Sequence, residues 1–97
     1  MEALEEAESE RLLELALAGD KAARNRLTEG HLGRVVELAR EYAGQGVLMA
    51  DLIQEASMEL MMLADEGFEG SFEKLLESRI RVRMEEIIND QKKETES

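Results

Sequence analysis

Between Ala50 and Leu63 the chain reads ADLIQEASMELMML, with Leu52, Ile53, Ala56, Leu60 and Leu63 recurring at steps of three and four. Asp51, Gln54, Glu55 and Glu59 fall between them. This is the period of an amphipathic helix, which buries one face and presents the other. Leu48 and Met49 ahead of it, and Met58, Met61 and Met62 inside it, add apolar surface beyond a single buried stripe. That excess points to a partner.

Similar patterns lie on both sides. Leu4, Ala7, Leu12, Leu15 and Ala16 form the apolar side of an N-terminal helix. Its acidic start, with Glu2, Glu5, Glu6, Glu8 and Glu10, either frays or opens that helix. Gly19 can end it in the left-handed conformation, and Asp20 can cap a short second helix from Lys21 to Glu29. Gly30 and Gly33 flank the start of a third segment that carries Leu32, Val35, Val36, Leu38, Ala39 and Tyr42 on one side and ends at Gly44 or Gly46. The central helix follows Val47 and runs to about Asp65. Gly67 and Gly70 then break the chain, with Phe68 between them as a plug for the core and Ser71 as N-cap of the last helix. That helix buries Phe72, Leu75, Leu76, Ile80, Met84, Ile87 and Ile88, and carries Arg79, Arg81 and Arg83 elsewhere on its surface. From Asn89 onward the polar run predicts a frayed tail.

Composition agrees with this reading. There is no proline, only two Phe and one Tyr, and no stretch alternates as a strand does. The expected fold is all-α, a compact bundle of about five helices in one domain, residues 1–97. Within it lie an acidic N-terminal helix (1–18), a core (19–88) and the tail (89–97). A chain of 97 residues buries roughly 60 to 65% of its unfolded surface, too small a core for a large self-contained enzyme. The lack of cysteine excludes disulfides and thiolate metal sites. No run approaches the roughly 20 apolar residues of a membrane span, and no basic region opens the chain as a secretory signal would, so a soluble, cytoplasmic protein is expected. A net charge of −11 repels phosphate backbones and argues against strong unaided binding to nucleic acid.

Catalytic constellations are not patterned here. His31, the single histidine, has no acid or serine partner at helical spacing and reads as a surface or capping residue. The carboxylates lack the Glu-x-x-His pairs of bundle metal sites, and neither GxGxxG nor GxxxxGK occurs. The protein is therefore read as a non-enzyme without metal or cofactor. Two features remain. The polar side of the central helix can meet arginines on a partner, or be a solvated face. Arg79, Arg81 and Arg83 can form a phosphate-binding patch, although Glu77, Glu85 and Glu86 lie close enough to neutralise it.

Taken together, Gly19-Asp20, Ala23-Arg24-Asn25-Arg26-Leu27, Leu32-x-x-Val35-Val36-x-x-Ala39-x-x-Tyr42, Gly46, Asp51-Leu52-Ile53-Gln54-Glu55, Leu60-Met61, Phe72, Ile80-Arg81 and Asp90-Gln91 carry a resemblance. The chain resembles region 2 of bacterial RNA polymerase sigma factors of the primary, housekeeping type, preceded by part of region 1.2. The joint spacing of these pieces is specific, whereas each alone is weak. The resemblance implies that the DLIQE helix docks on the clamp helices, a coiled coil of the polymerase β′ subunit. By position it implies contacts from Asp51, Gln54, Glu55, Ser57 and Met61, with Ser57 where the family usually has asparagine and Ala56 where it has glycine.

The departures fall on the last helix. The family's Phe-Ser-Thr-Tyr-Ala-Thr-Trp-Trp segment, whose aromatics hold flipped promoter bases, is here Phe72-Glu73-Lys74-Leu75-Leu76-Glu77-Ser78-Arg79. Stacking is worth on the order of 1 to 3 kcal/mol per base, so most of the melting apparatus is lost. Val82 and Glu85 stand at the positions that read upstream minus-ten bases, Glu86 replaces a usual base, and no counterpart of region 4 is expected. Three mechanisms fit this pattern: one half of a split sigma factor completed by a second sigma-like chain, a regulator occupying the clamp helices, or a weak sigma factor. The alternatives are a helical module for a non-polymerase protein, and weak single-stranded DNA binding through Arg79, Arg81 and Arg83.

Overall fold

The computed structural model describes residues 4–67 and 70–96, so the expected core plug Phe68 lies outside the described residues. Five α-helices account for most of the described residues, among which no strand occurs, so the all-α expectation holds. They are α1 (Glu6–Leu17), α2 (Lys21–Glu29), α3 (Leu32–Arg40), α4 (Met49–Glu66) and α5 (Phe72–Glu96). Asp20 accepts from the Ala23 N–H at 3.0 Å and Ser71 from the Lys74 N–H at 3.2 Å, satisfying N-terminal donors that have no partner inside the helix. Gly19, at φ +102°, supplies the left-handed turn between α1 and α2.

The core runs along two rows. Leu52, Ala56, Leu60, Leu63 and Ala64 of α4 cluster with Phe72, Leu76, Ile80 and Met84 of α5, while Leu27, Val35, Leu38 and Ala39 close the layer from α2 and α3. Each large side chain buried here stabilises the fold by about 1.5 to 3 kcal/mol relative to exposure. Since α5 packs on α1, α3 and α4, it is the spine of a body measuring 47 × 24 × 21 Å.

Several expectations are corrected. The buried side of α1 is Ser9 and Leu13, with Leu4 just ahead of the helix, while Ala7 and Leu15 are exposed. The periodic reading missed this because a polar residue occupies a core position. Ser9 is satisfied there by bonding to the Glu5 carbonyl at 3.1 Å and to His31 Nε2 at 3.3 Å. His31 is correspondingly neither a surface residue nor a side-chain cap. It is the N-cap residue of α3 by position, makes no capping bond, and lies buried with Nδ1 donating to the Leu27 carbonyl at 2.8 Å and its ring 4.8 Å from that of Phe72.

Downstream, α3 stops at Arg40 instead of Gly44, and the next residues continue in the tighter i to i−3 pattern, Tyr42 bonding Ala39 and Ala43 bonding Arg40. Leu32 is exposed. The tail expected to fray is helical through Glu96: residues 89–96 contain no glycine or proline, and Lys93 opposes the negative end of the helix dipole.

Candidate functional site

Eighteen residues of α4 at 3.6 per turn divide into a buried side and a broad outward side. Asp51, Gln54, Met58, Met61 and Met62 point outward, and the three methionines expose 41%, 44% and 41% of their surface. Leu48, just ahead of the helix, is 73% exposed, with Asp51 and Gln54 between it and the methionines, and Asp65 beyond them pairs with Arg24 at 2.7 Å. Methionine is a soft, adaptable side chain, and its exposure in threes on one helix suits a protein contact more than a core.

The five α4 positions singled out in the sequence are not equivalent in space. Asp51, Gln54 and Met61 share the outward side, whereas Glu55 and Ser57 stand at its opposite borders, both partly buried. Glu55 faces α5. Its Oε2 accepts from Arg83 Nε at 3.2 Å and lies 3.2 Å from Arg83 Nη2, while Arg83 Nη1 reaches Glu86 at 3.2 Å. Partial burial works against the Arg83 charge, but the two carboxylates outweigh it and hold its pKa above the ordinary arginine value. Sequence reasoning could not foresee the Glu55 contact, because the two residues are 28 positions apart on different helices.

The other two arginines are also engaged. Arg79 pairs with Glu66 at 2.6 Å and with Glu59 at 3.7 Å, its pKa raised chiefly by the hydrogen bond to Glu66. One Glu59 oxygen, Oε2, is buried and makes no hydrogen bond among the described residues. Arg81 bonds Glu77 through Nε at 3.1 Å and Nη2 at 2.9 Å and reaches Glu41 at 3.0 Å, so its pKa is raised, Glu77 contributing most. Arg34 joins the same group at 3.4 Å from Glu77. Of the three acids expected to neutralise these arginines, Glu77 and Glu86 do so, and the rest come from Glu41, just past α3, and from Glu55, Glu59 and Glu66 of α4.

A hollow of about 440 Å³ opens between the first half of α4 and the last turns of α5, lined by Asp51, Gln54, Glu55, Arg83, Asp90 and Glu94 among others. A second, more apolar cavity of about 620 Å³ lies between the start of α3 and the start of α5, beside His31, Leu32 and Leu76. Among the described residues no three His, Asp or Glu side chains gather closely enough to hold a metal ion, and no helix is long and apolar enough to cross a membrane.

Part of the chain has known counterparts. A segment of 44 residues, 45% of this chain, is 52% identical to the RNA polymerase sigma factor SigA of Listeria monocytogenes and, to the same extent, to SigA of Listeria innocua. The match takes in 12% of the length of each of these relatives. No family model matches the chain.

Proposed function

We propose that this chain is a sigma-like transcription protein that docks on the clamp helices of the RNA polymerase β′ subunit through the outward side of α4. The observation that carries the reading is the 52% identity to SigA over 44 residues. The exposed strip of Met58, Met61 and Met62 beside Asp51 and Gln54 supports it, because an acidic, apolar helix face fits a basic coiled coil. Asp51, Gln54, Glu55, Ser57 and Met61 are the proposed contacts. The role is binding, not catalysis.

Promoter melting lies outside this reading. Arg79, Arg81 and Arg83 are each held by two carboxylates, and a chain of net charge −11 repels phosphates, so DNA contact is weak or supplied by a partner chain. This favours half of a split sigma factor or a regulator of the clamp over a self-sufficient sigma factor. The test is binding of the full chain to core polymerase and to a purified β′ clamp-helix fragment. Binding that Gln54→Ala with Glu55→Arg weakens at least tenfold supports the assignment. Absence of binding, or indifference to the double change, refutes it and leaves a non-polymerase partner as the reading.

A further inference from the structure

The hollow between α4 and α5 contains a cation of its own. Asp51 and Glu55 contribute carboxylates from α4, Asp90 and Glu94 from α5, and the single guanidinium on the wall is that of Arg83. Both Nε and Nη2 of Arg83 lie 3.2 Å from the same Glu55 oxygen. Glu86, its second carboxylate, is one turn further along α5 and is not part of the lining.

We propose that Arg83 occupies, in the free chain, the seat on Glu55 that a basic side chain of the docking partner takes in the complex, so that docking exchanges one guanidinium for another. This deepens the docking reading above and rests on it. The guanidinium of Arg83 on the wall shows that the Glu55 carboxylate at this place pairs with that group. Asp51, Glu55 and Asp90 alone set three carboxylates against one guanidinium, an excess of negative charge that attracts a second cation. The departing Arg83 keeps a partner, since Nη1 is already 3.2 Å from Glu86 and only the Glu55 contact is given up. The Arg83 and Glu55 side chains are 36% and 33% exposed, so their pair is worth little and can be displaced. Arg83 therefore sets the affinity of the site by competing for it.

The experiment measures affinity of the full chain for the purified β′ clamp-helix fragment. Arg83→Gln should tighten binding by about twofold to fivefold, the range an exposed ion pair supplies. The same change in a Glu55→Gln background should give no gain, because the contested carboxylate is gone. Arg79→Gln, which removes the same charge but opens no seat in the hollow, should tighten it less. If Arg83→Gln unfolds the chain, Arg83→Met keeps the aliphatic stem and serves instead, with helicity checked by circular dichroism. Equal affinity of wild type and Arg83→Gln, or an equal gain in the Glu55→Gln background, overturns the exchange while leaving docking intact. A wild-type chain that does not bind removes docking and exchange together.

Discussion

His31 shows how a polar residue can be woven into a small core. Nδ1 donates to the Leu27 carbonyl, Nε2 meets Ser9, and the ring lies against Phe72, so a single side chain joins α1, the end of α2 and the start of α5. Glu73 Oε1 is 3.9 Å from Nε2, at the outer edge of ion-pair distance. Leaving a buried polar atom without its partner costs about 1 to 3 kcal/mol. Ser9→Ala should therefore lower the free energy of unfolding by that amount in a denaturant titration, and a change under about 0.5 kcal/mol would mean that the hydroxyl contributes nothing net. Asp51, Gln54 and Met61 could be assigned to the outward side from spacing alone, since helical period is a local property. The Ser9 to His31 pair could not. It joins residues 22 apart, and a serine within an acidic run looks like surface until the opposing imidazole is placed.

Helix positions were legible wherever a local signal existed. Asp20 and Ser71 both cap as their side chains dictate, and α2 spans the expected residues. The end of α3 was not, because no breaker stands between Arg40 and Gly44 and the change is only to tighter turns. What ties α3 to α5 was equally hidden: Glu77 accepts from Arg81 and lies 3.4 Å from Arg34 across the helix pair. Arg81, then Arg34, hold the Glu77 carboxyl below its ordinary value of 4.5, with desolvation opposing. A carboxylate with a depressed folded-state pKa stabilises above its unfolded pKa and loses that contribution as pH falls through the folded value. Stability should therefore decline with acidification below pH 4.5 more steeply in the wild type than in Glu77→Gln, as thermal melts across pH 3 to 6 would record. Parallel curves would mean that these surface pairs add nothing to the α3 and α5 contact.

For the molecule as a whole, the decisive quantity is a charge of −11 on 97 residues. Such a field accelerates encounter with a basic surface and is screened within about 10 Å at 0.1 M salt. The association rate with the β′ fragment should fall by about tenfold between low and high ionic strength while dissociation changes much less, a contrast that stopped-flow fluorescence resolves. A flat rate would show that docking is not steered. Within the same body, α5 is about 37 Å long, and along it Arg79 faces Glu59 while Arg83, one turn on, faces Glu55, one turn back. Asp51 stands one turn back again, and the buried rows of both helices repeat every four residues. A shift along α5 by four residues, about 6 Å, leads from one apolar position to the next and from one arginine to the next. The repeating rows thus stand like the rungs of a ladder. What does not repeat along the rows is the contact of Phe72 with His31. That contact marks the register of the spine as a pawl marks one tooth of a ratchet.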